Sequence, residues 1–153
     1  MALPDPRLLL PRAADRYVGP AIALWFLAAY NVVGTARSLI HVLAPDSGAQ
    51  SIATMDTSVA GGPNMIALLA QWGGAQLLMA IAIWIVIWRY RGLVPLALLF
   101  CAVDNVHRVV IGLAKPLTTV GTPPGSLSWV VAPLCVVVLL LSLLPARDGA
   151  TGG

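Results

Sequence analysis

Four long apolar stretches constrain the fold of this chain, because together they take up most of its 153 residues. They run from Val18 to Leu43, Asn64 to Trp88, Leu93 to Leu113 and Leu127 to Leu144. Each is close to the roughly 20 apolar residues that a helix needs to cross a bilayer core. Charged residues make up only 10% of the chain, against about 25% in an average soluble domain. The sequence therefore predicts an all-α integral membrane protein, a bundle of four transmembrane helices.

The residues outside these stretches are too few for a separate soluble domain. We predict a cytoplasmic lead at 1–17, a single transmembrane domain at 18–144 and a cytoplasmic tail at 145–153. A cleaved signal peptide is the less favoured alternative for the N-terminus. The first apolar stretch is longer than a signal core of about 7–15 residues and contains Asn31 and Arg37.

The basic residues predict how the helices are oriented. They flank the stretches at Arg7, Arg12, Arg16, Arg89, Arg91 and Arg147. The positive-inside rule then puts both termini and the turn at 89–92 in the cytoplasm, in an antiparallel N-in/C-in bundle. We expect a multi-pass protein of a bacterial cytoplasmic (inner) membrane. The net charge of +3 is scattered and forms no patch, so membrane lipids are the expected surroundings and no nucleic-acid partner is predicted.

Small residues and a short connection predict how two of the helices pack. The connection at 89–92 makes the second and third helices antiparallel neighbours. Gly73 and Gly74 allow a close approach of backbones in lipid. We therefore predict a tight contact between these two helices along the Gly73-Gly74 segment. Cys101 and Cys135 are expected at different depths and as free thiols.

Polar side chains fall at one depth in three of the stretches, and they are costly in hydrocarbon. They are Arg37, His41, Gln71, Asp104, His107 and Arg108. The spacing of Asp104, His107 and Arg108 is i, i+3 and i+4, which predicts one helix face. Tyr30, Arg37 and His41 form a similar stripe. The pattern predicts a polar pocket in the outer leaflet.

The charges in this pocket predict a partnership between helices. Arg37 on the first helix is expected to pair with Asp104 on the third, since each would neutralise the other in a low-dielectric setting. Arg108, one turn along from Asp104, is the competitor for that carboxylate. If Arg37 holds the carboxylate, Arg108 is left for an acidic ligand, a carbonyl, water or a partner.

Several functions fit these residues. The first choice is a non-catalytic protein that binds a lipid-like molecule or a partner subunit, with Arg37, His41, Gln71 and Arg108 as binding residues. The alternative is a small membrane enzyme with Asp104 and His107 as an acid–base pair acting on an apolar substrate. A purely structural ion pair fits equally well. Haem or metal ligation by the two histidines is less favoured, and the sequence assigns no cofactor and no metal.

Four segments carry a resemblance to known proteins. They are Arg37-Ser38-Leu39-Ile40-His41, Ala44-Pro45-Asp46, Gln71-Trp72-Gly73-Gly74-Ala75-Gln76-Leu77-Leu78 and Trp88-Arg89-Tyr90-Arg91. On these, the chain resembles an uncharacterised family of small bacterial four-helix integral membrane proteins, broadly DoxX-like in size and layout. The resemblance runs over about residues 37–124. It implies a four-helix bundle in the cytoplasmic membrane and no catalytic residues.

Overall fold

The computed structural model describes residues 5–10 and 14–145, and these residues contain helices and no strand. The α-helices are α1 (Ala21–Leu43), α2 (Gly62–Trp88), α3 (Val94–Ala114) and α4 (Ser128–Ser142), with short 3-10 helices at Pro6–Leu9, Arg91–Leu93 and Pro124–Leu127. Four helical segments are long and apolar enough to cross a membrane. The predicted all-α, four-span architecture is confirmed. Most of the predicted tail, together with Arg12 and Arg147, lies outside the described residues, and the orientation remains a prediction.

Prolines determine where the helices begin. Pro20 is the N-cap of α1, and Pro63 and Pro95 lie in the first turns of α2 and α3. The first turn tolerates proline because its N–H groups have no helical partner. Pro20 itself is extended, with φ −61° and ψ 135°, and proline disfavours the helical region for the residue before it. For this reason α1 begins at Ala21 and not at the predicted Val18.

The outward faces of the helices are apolar. Only 17–28% of each candidate span is buried within the protein, and large side chains such as Trp25, Leu78 and Val130 are mostly exposed. Water does not tolerate an apolar surface of this extent on a monomeric protein. A bilayer would cover these faces, which is the arrangement of a multi-pass membrane protein.

The helices pack as two pairs. One pair is α1 with α2 and the other is α3 with α4, while contacts between the pairs are sparse. In the first pair, Asn31 bonds to Ala80 and Arg37 bonds to Gln76. Residue numbers rise along α1 as they fall along α2, so the two helices are antiparallel.

The predicted contact between α2 and α3 along Gly73 and Gly74 is wrong. Gly73 is buried against the backbone and Cβ of His41 on α1, whereas a Cβ at Gly74 would meet nothing within 4 Å. The short connection makes α2 and α3 neighbours in the chain, but their facing surfaces scarcely touch. Small residues permit a close approach without specifying which helix approaches.

The apolar core lies toward the end of the bundle that carries the connection between α2 and α3. Its members are buried residues of all four helices: Ala23, Leu27, Ile83, Val94, Ala97, Leu98, Cys101, Ala102, Cys135 and Val138. Both cysteines are free thiols. Toward the opposite end the space between the helix pairs is lined increasingly by polar side chains.

The two connections at that opposite end are folded against each other. Thr54 accepts a hydrogen bond from Val120 through its carbonyl and donates one to the Gly121 carbonyl through its hydroxyl. Within the first connection, Asp46 accepts bonds from the backbone N–H groups of Gly48, Gln50 and Ser51, at 2.7–3.1 Å. One carboxylate therefore shapes the loop that follows α1.

We expect acid to loosen this loop. The hydrogen bond from the Ser51 backbone, with those from Gly48 and Gln50, lowers the pKa of Asp46 from 3.8 to about 2. A carboxyl with a lowered pKa contributes stability that is complete above its unfolded pKa and is lost as the pH falls toward the folded value. Thermal unfolding in detergent should therefore show a larger loss of stability between about pH 4 and pH 2 for the wild type than for Asp46→Asn. Parallel curves for the two proteins would contradict the assignment.

Candidate functional site

A cavity of about 260 Å³ lies between α1, α2 and α3. Its charged and aromatic lining includes Arg37 from α1, Trp72 from α2, and Phe100, Asp104 and Arg108 from α3. The rest of the lining is mainly apolar. Three helices thus contribute to one partly polar site within the membrane-spanning part of the bundle, as the sequence predicts.

The indole of Trp72 joins the two arginines of the cavity. The guanidinium carbon of Arg37 lies 5.4 Å from the centroid of this ring, and that of Arg108 lies 4.8 Å from it. Cations at these distances are attracted by the ring quadrupole, and the attraction grows as water is removed. One aromatic side chain therefore brings two positive charges from different helices to the same site.

The predicted ion pair between Arg37 and Asp104 is wrong. Asp104 is bound by Arg108, with Nε to Oδ2 at 2.8 Å and Nη2 to Oδ1 at 3.3 Å. The two residues are four apart on α3, so they meet on one helix face without any constraint on how helices pack. Arg108, the alternative partner identified from the sequence, therefore binds the carboxylate in place of Arg37.

Arg37 bonds to an amide instead. Its Nη2 donates to Oε1 of Gln76 at 3.0 Å, a consequence of the close packing of α1 on α2. The Nε of Arg37 is buried and has no hydrogen-bond partner within residues 5–10 and 14–145. The guanidinium is therefore neutralised by no carboxylate among these residues, and one of its donors is unused.

Three of the six predicted site residues line the cavity: Arg37, Asp104 and Arg108. His41 lies behind the cavity, where its Nδ1 donates to the Ser47 carbonyl at 2.7 Å and its ring packs on Trp72, with centroids 5.2 Å apart. This histidine fastens the loop after α1 to the helix end. In the structure, the contacts of His41 are therefore with the protein itself and not with the cavity.

Gln71 and His107 are exposed and lie outside the cavity lining. Gln71 is five residues from Gln76, so the two amides point to different sides of α2. No hydrogen bond joins His107 to Asp104 among the described residues, and both oxygens of that carboxylate are bound by Arg108. The roles predicted for Gln71 and for the Asp104–His107 pair stay untested predictions.

Sequence reasoning missed two residues that organise the site. Trp72 and Gln76 are four residues apart on the face of α2 that holds Gly73, and that spacing is the signal that could have found them. Asn105, a polar residue of the third apolar stretch, lies outside the cavity lining. It is buried, and its Nδ2 donates to the Tyr30 hydroxyl at 2.7 Å and to the Cys101 carbonyl at 2.8 Å.

The arrangement is suited to binding an anion and gives no sign of a metal centre. The described part of the chain holds no group of three or more His, Cys, Asp or Glu side chains placed to ligate a metal ion. The DoxX-like resemblance stays a prediction from the sequence. Comparison with known protein families, with curated proteins and with solved structures finds no match to this chain.

Proposed function

We propose that this chain is a non-catalytic, multi-pass protein of a bacterial cytoplasmic membrane that binds the acidic head group of a lipid-like molecule in its cavity. The charge balance of the lining supports this proposal most directly. Arg37 and Arg108 bring two positive charges and Asp104 brings one negative charge. Within the described residues, the Nε of Arg37 also lacks a partner.

An excess positive charge within a bilayer is costly, by about 2.5–3.5 kcal/mol for an arginine at the centre of a helix on insertion scales. An anion in the cavity would offset that cost. Hydrogen bonds between a guanidinium and a carboxylate or phosphate are about twice as strong as neutral ones. Arg37 lines the cavity and, among the described residues, is paired with no carboxylate, so it is the expected contact of the anion.

The bilayer is the expected source of the ligand. Met79 on α2 and Phe100 on α3 line the cavity and are about half exposed, at 49% and 50%. The cavity therefore opens sideways, between the two helices whose mutual contacts are sparse. A molecule that enters there comes from the acyl-chain region, which favours an amphiphile over a water-soluble anion.

The alternative enzyme has less support. An acid–base pair needs both groups to reach one substrate, but His107 lies outside the cavity lining and Asp104 is already bound to Arg108. A non-catalytic binding role is therefore better supported than catalysis. A partner subunit that places an acidic group in the cavity is the remaining alternative to a lipid.

Lipids retained during purification test the proposal. The protein is extracted from bacterial membranes into a neutral detergent, and the retained lipids are measured by mass spectrometry. We expect enrichment of acidic over zwitterionic lipids, and Arg37→Gln should lower that enrichment about tenfold, the effect of losing roughly 1.4 kcal/mol of binding free energy. Asp104→Asn removes the competing carboxylate and should raise the enrichment.

Arg89→Gln is the matched control. Arg89 lies over the Tyr90 ring at 5.7 Å, outside the cavity, so its removal should leave the enrichment unchanged. Melting temperatures show whether each variant is folded. If Arg37→Gln does not fold, the Asp104→Asn variant still tests the proposal. Equal retention of acidic and zwitterionic lipids by all four proteins would refute the proposal. A retained polypeptide that is lost with Arg37→Gln would replace the lipid with a partner subunit.

A further inference from the structure

The cavity is polar at one end only. On α2 its lining runs from Trp72 to Ile83, which is about 16 Å at the helical rise of 1.5 Å per residue. Trp72 and Gln76 lie at the end that holds the arginines, and Ala80 and Ile83 lie at the other end. The lining therefore changes from charged to apolar along the axis of α2.

The polar side chains at the apolar end are occupied by the protein itself. The amide of Asn31 donates to the Ala80 carbonyl at 3.0 Å, and the hydroxyl of Tyr30 accepts from Asn105 at 2.7 Å. Each of these groups already has a partner within the protein, and neither carries a charge that would hold an anionic head group. A ligand would thus place its charged head near Arg37 and its apolar part toward Ile83.

The volume of the cavity limits how many chains it can hold. Its 260 Å³ is less than twice the volume of an engineered 150 Å³ cavity that binds one benzene molecule. It also lies just below the roughly 300–1,000 Å³ of sites that enclose drug-sized ligands. The cavity itself has space for a small head group and one acyl chain, so a second chain of a phospholipid would lie outside it and gain no contact with its apolar lining.

The charge of the lining limits the head group. Two guanidiniums and one carboxylate leave one net positive charge, which a singly charged anion would balance. A doubly charged head group would leave an excess negative charge in a low-dielectric site, where unpaired charges are costly. A carboxylate and a phosphodiester both meet the requirement of a single negative charge.

We infer that the ligand is a single-chain amphiphile with a singly charged anionic head group, either a long-chain carboxylate or a monoacyl phosphodiester lipid. The inference rests on the proposed function and narrows its ligand class. The head group contacts Arg37, with Arg108 and Trp72 beside it. The chain lies along the apolar lining of α2, and any remainder extends between Met79 and Phe100 into the bilayer.

Four probes of equal chain length test the inference by native mass spectrometry of the protein in neutral detergent, at about pH 8 so that the carboxylate is charged. They are dodecanoate, monolauroyl phosphatidylglycerol, dilauroyl phosphatidylglycerol and monolauroyl phosphatidylcholine. We expect one or both single-chain anions to bind at least tenfold more tightly than the other two probes. The comparison of dodecanoate with the monoacyl phosphodiester identifies the source of the negative charge.

A pair of glycines provides a variant and its control. Gly34 lines the cavity, and a Cβ there would meet nothing within 4 Å, so the side chain of Gly34→Leu would start in open space and take up ligand volume. Gly112 is equally free of neighbours but lies outside the cavity. We expect Gly34→Leu to weaken binding of the single-chain anions at least tenfold and Gly112→Leu to leave it unchanged.

Failure of the single-chain inference can be told apart from failure of the proposed function. If dilauroyl phosphatidylglycerol bound as tightly as the single-chain anions, and Arg37→Gln still weakened it, the single-chain inference would be overturned and the proposed function would stand. If the zwitterionic monolauroyl phosphatidylcholine bound as tightly as the anions, both would be overturned. Binding that is unaffected by Gly34→Leu would place the chain outside this cavity and would also overturn the inference.

Discussion

Gly73→Ala is expected to destabilise the bundle by about 1–3 kcal/mol, the usual cost of adding a group to a close-packed site. A Cβ at Gly73 would overlap the Cβ of His41 and lie 3.2 Å and 3.3 Å from the carbonyl carbon and Cα of that residue. Two of these atoms are backbone, so no side-chain rotation relieves the contact. To accept the methyl group, α1 and α2 would have to separate, with loss of the bonds that join them.

The neighbouring glycine supplies the control. A Cβ at Gly74 would meet nothing within 4 Å, and alanine is favoured over glycine inside a helix by roughly 0.5–1 kcal/mol. Gly74→Ala should therefore leave stability unchanged or raise it slightly, so one substitution at adjacent positions gives opposite signs. Reversible unfolding in mixed detergent measures both. Equal effects of the two substitutions would contradict the packing of Gly73 against α1.

The helices of this protein are predictable from sequence because each depends on a local property. A run of apolar residues long enough to cross a bilayer has few alternatives to a helix, since backbone groups must be bonded within the segment. Prolines then fix the helix starts, as at Ala21 after Pro20. All four spans lie within three residues of their predicted bounds.

The pairing of the helices is not local, and the sequence predicts it poorly. Gly73 and Gly74 look alike in the sequence, but only Gly73 faces another helix, and that helix is α1 and not the predicted α3. The helical rise places Arg37 and Asp104 at similar depths without giving the angle at which each faces its neighbours. Arg37 therefore bonds to Gln76 on the adjacent helix, a residue that only its i, i+4 spacing from Trp72 could have indicated.

In the candidate site, too, local contacts are predictable from the sequence and contacts between helices are not. Asp104 and Arg108 are four residues apart on one helix, so their contact could be anticipated from spacing alone. The cation–π contacts of Trp72 require α1, α2 and α3 to meet at one point. Burial also decides the roles of the histidines, because His41 is enclosed against Ser47 and His107 is exposed. A stripe of polar residues in the sequence indicates that a site is present, but it does not identify which of those residues face the site.

Asn105→Ala is expected to destabilise the fold by about 2 kcal/mol, because Asn105 joins the two helix pairs. Its Nδ2 donates to the Tyr30 hydroxyl on α1 at 2.7 Å and lies 4.0 Å from the Cys135 sulfur on α4. Hydrogen bonds between helices in a membrane contribute about 0.6 kcal/mol on average and up to about 1.7 kcal/mol. The space vacated by a side chain that is 4% exposed adds a cavity cost.

The neighbouring Val106 provides a control of similar size. It is 45% exposed, so Val106→Ala should cost less than about 0.5 kcal/mol, as is usual for exposed positions. Combining Asn105→Ala with Tyr30→Phe in a double-mutant cycle separates the hydrogen bond from the cavity, since only the bond depends on both residues. We expect a coupling of about 0.6–1.7 kcal/mol. Additive effects would show that this bond contributes nothing to holding the α1–α2 pair against the α3–α4 pair.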